Sequence, residues 1–461
     1  MTKASHNWIA VVLAAGVGQR MRSRRPKVLH PLAGKPLVCH VVDAARRARV
    51  ERCVAVVGPG EEAVRVALGN GVGYARQAEP LGTGHALAQA EPLASDAEHL
   101  LILHGDVPLL TPETLSRLMR SHLEHDADLT MLTACVDEAG GYGEVRRDDR
   151  NRVVEVVEAA DRDRSSAGRA EINGGIYCFR AAWVWPRLGA IPRAHNGEHY
   201  LTELVGMAVR EGATVVAVQA DDADEVRGIN DRVQLAEAER VMRERIRRRH
   251  LLAGVTMVDP ASTYIEADVT VGQDTVIHPN TTLAGGTVVG AECEIGPNSI
   301  VRDSSLGARC RIVASVVAGA TLEEEVEVGP YSHLRPGSYL CRGVHVGNLA
   351  EVKNARLGPN TKMGHFSYIG DAEVGADVNI GAGTITCNFD GVRKQRTVIG
   401  DGAFIGSDTM LVAPVTVGRG ARTGAGSVVN RDVPAGSTAV GAPARVRRNR
   451  AARRGEREVS S

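Results

Sequence analysis

Apolar and polar positions follow two different rhythms along this chain, and the change falls near Thr256. Before it, apolar runs at 9–13, 53–57, 100–103, 129–133, 176–179 and 215–218 alternate with stretches of helical pattern such as 84–90, 112–125 and 200–211. After it, single aliphatic residues recur every six positions: Val271, Ile277, Leu283, Val289, Ile295 and Val301. The phase slips near Leu306 and returns with Val328, Leu334, Leu340, Val346 and Val352, then Leu357, Met363 and Ile369, and finally Ile399, Ile405, Leu411, Val417, Thr423 and Val429.

The first rhythm predicts an α/β, Rossmann-like domain, a mainly parallel sheet with helices on both faces. The second predicts a parallel β-helix of three short strands per coil, each turning one aliphatic side chain inward and tolerating only small residues at its corners. Many glycines and few aromatics fit that geometry. Between the two, 231–253 reads as one charged helix with Leu235, Met242 and Ile246 on a common face. The expected boundaries are 1–230, the linker helix 231–253, a β-helix over 254–446 and a disordered basic tail over 447–461. Arg243, Arg245, Arg247, Arg248 and Arg249 are interspersed with acids in the helix, the pattern of a solvated face rather than a nucleic-acid surface.

At 461 residues the chain is too long for one ordinary core. Its formal charge is zero, from 55 basic and 55 acidic residues, so nothing global favours nucleic acid or an anionic membrane. No apolar run approaches the roughly 18 residues of a spanning helix. The eight cysteines include no Cys-x-x-Cys pair, which predicts free thiols in a reducing cytoplasm. Lys3 and the apolar residues after it resemble a signal peptide, but Arg20, Arg22, Arg24 and Arg25 follow directly and argue against one.

The first apolar run delivers Leu13-Ala14-Ala15-Gly16-Val17-Gly18-Gln19-Arg20-Met21, and Lys27 follows. A strand, a glycine-rich turn and a helix start expose backbone N–H groups to an oxyanion, and Arg20 and Lys27 add whole charges. The loop lacks the third glycine of a dinucleotide fingerprint and the Gly-Lys-Ser/Thr of a P-loop, leaving a differently built triphosphate cradle. Asp106 follows the run 100–104 and Asn230 follows 225–229, at strand ends on the same expected rim, where one or two protein oxygens suffice for Mg²⁺. Gln77 offers an amide edge to a pyrimidine base. Gly82-Thr83-Gly84 opens a helix, and Gly141-Tyr142-Gly143 and Asn173-Gly174-Gly175 are tight turns suited to sugar hydroxyls.

In the second half, the six-residue period is interrupted between Ile385 and Arg396 by 386–391, and insertions of this kind emerge as loops, often on a binding face.

Taken together, these motifs resemble the bacterial bifunctional N-acetylglucosamine-1-phosphate uridyltransferase and glucosamine-1-phosphate acetyltransferase family, over nearly the whole chain. The resemblance implies a nucleotidyltransferase domain followed by a left-handed parallel β-helix. The first would bind UTP and N-acetylglucosamine 1-phosphate through Leu13, Ala14, Ala15, Gly16, Arg20, Lys27, Gln77, Gly82, Thr83, Gly143, Glu158, Asn173 and Asn230, with Mg²⁺ on Asp106 and Asn230. The second would bind glucosamine 1-phosphate through Arg335, Lys353, Tyr368 and Asn379, with His365 as base. Acetyl-CoA would lie against Ala382, Asn388, Phe389, Ser407, Ala425 and Arg445. It further implies a cytoplasmic homotrimer that binds neither nucleic acid nor membrane and feeds UDP-N-acetylglucosamine into peptidoglycan and other envelope polymers. His104 and Phe389 stand where the family usually has tyrosine. Two alternative readings are a nucleotidyltransferase whose β-helix serves only assembly or regulation, and a uridyl- or thymidyltransferase paired with a different acyl acceptor.

Overall fold

The structure is a computed structural model that describes residues 6–16, 18–159, 168–195 and 197–448. Lys3, Val17 and the basic stretch from 449 onward lie outside the described residues. The chain divides into two compact units, Met1–Met242 and Arg243–Ser461.

The core of the first unit is a nine-stranded sheet whose main path holds seven strands: β1 (Trp8–Ala14), β2 (Arg52–Val57), β3 (Gly73–Arg76), β4 (His99–His104), β5 (Leu129–Val136), β6 (Ala170–Arg180) and β7 (Val215–Gln219), in the order β7-β5-β6-β4-β1-β2-β3, with the antiparallel pair Glu144–Arg147 and Val153–Val157 branching from β6. Every neighbouring pair is parallel except those of β6, which runs antiparallel to both β4 and β5. β1 is buried along its whole length because both sheet faces are covered, as its unbroken apolar run requires. Alternate residues serve two cores, with Ala10, Val12 and Leu103 on one face and Ile9, Val11 and Ile102 on the other.

Two elements differ from the expectation. The glycine loop leads into a single 3-10 turn, Gln19–Met21, and the first α-helix begins only at Leu37. Gly18 and Arg22 are both left-handed and Pro26 follows, so no helix propagates and the loop carries no helix macrodipole. Asn173-Gly174-Gly175 is not a turn between elements but a bulge within β6, where the register shifts between Asn173 and Tyr177.

Helix Arg232–Leu252 begins where Asp231 accepts a hydrogen bond from the Gln234 backbone N–H, at 2.9 Å. Its Ala238 and Val241 pack with Leu32, Leu37, Leu109 and Ile229 in a small separate core.

The second unit is the left-handed β-helix of the hexapeptide class, its coils stacked into three parallel sheets. Strand pairs such as Ile277↔Ile295, Leu283↔Val301 and Val289↔Leu306 place inward residue on inward residue, coil after coil. All the aliphatic residues of the six-residue series are buried except Val271, half-covered in the first coil. A second inward ladder went unread in the sequence: a serine or threonine two residues before many of these aliphatics, as at Thr281, Ser299, Ser332 and Thr409, with Thr384 in the same place before the buried Thr386. Several of these hydroxyls donate to a corner carbonyl, for example Thr384 to Gly381 at 2.7 Å and Thr409 to Gly406 at 2.6 Å, satisfying backbone groups that the turn leaves unpaired. The last strand, Arg445–Arg448, folds back antiparallel on Ser437–Val440 and closes the first sheet, so Arg447 and Arg448 belong to the fold rather than to a tail.

All eight cysteines are free thiols. No helix among the described residues is long and apolar enough to cross a membrane.

Two outcomes follow from this packing. Leu411→Ala, at a fully buried inward position, should destabilise the β-helix by about 2–5 kcal/mol in denaturant unfolding, whereas exposed Thr321→Ala should change it by less than about 0.5 kcal/mol. Burial holds His122 down to about 3, while the unfolded chain takes up that proton near 6.5. The stability contributed by its neutral form is therefore lost as pH falls from about 6.5 toward about 3. The wild-type thermal midpoint should accordingly drop more between neutral and mildly acidic pH than that of His122→Gln.

Candidate active sites

The carboxyl end of β1 and the turn after β4 form one rim, because the Gly105 N–H donates to the Leu13 carbonyl at 2.9 Å. A cavity of about 250 Å³ opens there, lined by Leu13, Ala14, Ala15, Gly16, Lys27, Gln77, Gly82, Thr83, His104, Asp106 and Glu198 among others. Gly18 is required beside it: at its φ of +68° an added Cβ would collide with the stem of Lys27.

Lys27 occupies the centre of this rim. Its ammonium ion-pairs with Asp106 and lies 3.0 Å from Asn230 Oδ1. Burial alone would raise the Asp106 pKa, but Lys27 and His104 hold the carboxyl below the usual carboxylate range. Burial likewise keeps His104 below the ordinary histidine range. Asn230 does not follow a strand; a 3-10 turn, Ala223–Val226, precedes it. It is placed instead by three bonds, from Ile229 N–H to the Asp106 carbonyl (2.9 Å), Gly228 N–H to the Tyr142 hydroxyl (3.0 Å) and Asn230 N–H to Gln234 Oε1 (2.7 Å). Two oxygens from distant parts of the chain thus converge on one cation.

The remaining predicted residues fall into an inner and an outer group. Gln77 is buried, and its amide nitrogen contacts the Gly82 carbonyl (3.0 Å) and His85 Nδ1 (3.1 Å). Its two N–H groups are therefore engaged by the protein, and its carbonyl is the group it can offer a base N–H. Thr83 accepts from Leu201 N–H at 2.9 Å. Asn173 is buried beside the bulge, bonded to the Tyr177 hydroxyl and to Gly175 N–H, and the His104 ring lies against Gly175. The Asn173 N–H donates to the Gly143 carbonyl, and Glu158 accepts from the Thr202 hydroxyl at 2.6 Å; neither Gly143 nor Glu158 lines the cavity. Arg20 is exposed on the Gln19–Met21 turn, outside the lining. Glu198, which the sequence reading missed, enters from a segment with no periodic signal.

On the β-helix, strands ending at Met363, Ile380, Ile405 and Thr423 are consecutive neighbours in the first sheet. Two residues beyond each end stand His365, Ala382, Ser407 and Ala425, so stacking places all four in one corner column. Backbone bonds from Gly383 to Phe366, Asp408 to Ala382 and Gly426 to Ser407 tie the corner turns together. His365 and Ser407 are exposed there.

Arg335, Lys353 and Tyr368 lie on the outward side of the second sheet. Arg335 bonds Glu351 at 2.8 Å. Lys353 is held below the ordinary lysine range chiefly by Lys394 beside it, with Arg335 adding to the effect. The Asp371 carboxylate acts on Lys353 in the opposite direction, more weakly than the two cations. Lys394 sits in the non-periodic insertion, the one signal that pointed to it. That insertion is a small hairpin closed by a Phe389↔Lys394 bridge, its turn capped by Asp390, which backbone N–H groups of Arg393 and Val392 bring down to about 2. Asn388 is buried at its base, its amide bonded to Asp371 and 3.4 Å from the Tyr368 hydroxyl. Phe389 projects outward, 61 % exposed. Asn379 lies on the first sheet, separated from the cationic cluster by the His365 corner, and Arg445 is exposed on the final antiparallel strand.

Comparison with known proteins finds two different profiles, one within each unit. A MobA-like NTP transferase domain profile matches residues 10–203, and a bacterial transferase hexapeptide profile matches 268–303 and 396–431. Proteins named bifunctional protein GlmU are similar to it from end to end. That of Heliobacterium modesticaldum is 49 % identical over 94 % of this chain and 95 % of its own length; that of Brevibacillus brevis is 47 % identical over 94 % of both; that of Pelobacter propionicus is 47 % identical over 96 % and 97 %. With two folds in that order and such identity across nearly the full length, this chain belongs to the bifunctional GlmU family.

Proposed function

We propose that the β-helix acetylates glucosamine 1-phosphate from acetyl-CoA and that the N-terminal unit joins the product to UTP, forming UDP-N-acetylglucosamine and pyrophosphate. The observation that carries the first-unit reading is the Lys27 ammonium held between Asp106 and Asn230 at the floor of a glycine-loop cavity.

In uridylyl transfer an oxygen of the sugar 1-phosphate attacks the α-phosphorus of UTP and pyrophosphate leaves. Charge develops on the phosphates, so fixed cations do most of the catalysis and no protein nucleophile is needed. Lys27 supplies one such charge, and the glycine loop admits the phosphates to the backbone. Gln77 accepts from the uracil N–H. Asp106 and Asn230 already aim two oxygens at one cation and so fit Mg²⁺, which when bound neutralises phosphate charge. Arg20 on the outer turn adds charge toward the triphosphate.

In acetyl transfer the sugar ammonium must lose a proton before its amine can attack the thioester carbonyl. His365 takes that proton; the carbon–sulfur bond breaks and coenzyme A leaves as its thiol. Lys353, Lys394 and Arg335 bind the sugar phosphate, and Ser407 on the same corner stabilises the thioester oxyanion. Asn388, Phe389, Ala382, Ala425 and Arg445 border the acetyl-CoA path, and Asn379 meets the sugar from the first sheet. A trimer is the assembly we favour, since Tyr264, Ile300 and Val316 expose apolar surface in one column of the second sheet, interrupted only by Thr282. The free thiols fit a reducing cytoplasm.

Separate assays test the two halves. With glucosamine 1-phosphate, acetyl-CoA, UTP and Mg²⁺ present, His365→Ala should lower thiol release by about 10²–10⁴, while pyrophosphate release from added N-acetylglucosamine 1-phosphate is unchanged. Asp106→Asn should do the reverse. A β-helix serving assembly alone would give no thiol release in wild type. Lys394→Ala should raise the acetyltransferase KM for glucosamine 1-phosphate roughly tenfold to a hundredfold, with kcat far less affected.

A further inference from the structure

The first unit carries a second cluster of ligand-bearing side chains, at the opposite edge of its sheet from the nucleotide cavity. His6 precedes β1 and Glu98 precedes β4, while His99 is the first residue of β4, paired with Trp8. The N–H groups of Glu98 and His99 both donate to the Asn7 carbonyl, and the bend this imposes turns two successive side chains toward His6. The Glu98 carboxylate lies between the imidazoles, both of its oxygens 3.3 Å from His6 Nδ1 and Oε1 3.6 Å from His99 Nε2. Ligands about 2.0–2.1 Å from a tetrahedral Zn²⁺ stand about 3.4 Å apart, so these separations match two edges of that coordination figure.

Outer partners complete the arrangement. A metal on His99 Nε2 requires the proton on Nδ1, and His122 Nε2 lies 3.2 Å from that atom, ready to accept it. His122 Nδ1 then donates to the Thr130 hydroxyl at 2.9 Å, and Trp8 stacks on the His99 ring at 4.9 Å. A ligating histidine oriented through its second nitrogen is the usual support of a zinc site.

We propose that His6, Glu98 and His99 bind a divalent transition ion of the Zn²⁺ class, with a fourth position open to solvent. The ion clasps the residue before β1 to the start of β4. Six residues of β4 separate it from the Asp106 turn, about 17 Å of strand, so it takes no part in nucleotide chemistry.

The test is Zn²⁺ titration of the full-length protein by calorimetry in saturating Mg²⁺, with the Co²⁺ absorption spectrum as a report on geometry. Wild type should bind one equivalent per chain with a tetrahedral Co²⁺ spectrum. His6→Ala and Glu98→Gln, both at exposed positions, should weaken binding at least tenfold. His122→Gln should weaken it about tenfold to a hundredfold, and the control His125→Ala should leave it unchanged. Absence of a wild-type equivalent, an octahedral spectrum, or equal binding by the His6 and Glu98 variants would overturn the assignment.

Discussion

Parallel pairing of strands is the constraint on which both units depend. Parallel neighbours must be joined by a crossover, so every strand of a parallel set ends on the same edge. In the first unit this brings the carboxyl ends of β1 and β4 together and, with them, the glycine loop and Asp106. In the second unit each coil lies in register on the one before, and a residue's place within its coil fixes its column. Functional groups far apart in the chain become neighbours without any dedicated scaffold.

Charge is then arranged against these rigid frames in two contrasting ways. At the nucleotide rim, Lys27 is neutralised by Asp106 and capped by Asn230, a balanced triad that tolerates partial burial. On the β-helix, Lys353 lies beside Lys394, and the depressed Lys353 ammonium registers a repulsion that nearby Asp371 only partly offsets. The first arrangement balances its cation within the protein; the second leaves its cations repelling one another. Both rest on aligned backbone, but the second also needs the insertion hairpin, whose root is the buried contact of Asn388 with Asp371.

Where the sequence reading went astray, a tertiary contact had overridden a local signal. The helix expected after the glycine loop is stopped by left-handed Gly18 and Arg22, conformations that allow Lys27 to fold back under the loop. Asn173-Gly174-Gly175 looks like a turn by composition, yet β6 is pinned on both sides by β4 and β5 and absorbs the glycines as a bulge. Arg447 and Arg448 read as tail because they are charged, but the last coil has an open edge and the strand that covers it needs backbone, not apolar side chains. Asp371 and Glu198 gave no signal because neither lies in a motif.

The sequence alone determined both folds and the residue types that are candidates at each site. Periods of six and of alternating strand and helix are properties of backbone geometry, and a glycine loop, a strand-end aspartate and a corner histidine carry their chemistry in their residue types. What only the tertiary structure decided is which groups meet: Asn230 with Lys27, Lys394 with Lys353, and His6 with Glu98 and His99. Those meetings depend on strand register, on the path of loops and on single hydrogen bonds across long sequence separations. A pattern read along one dimension contains no record of these.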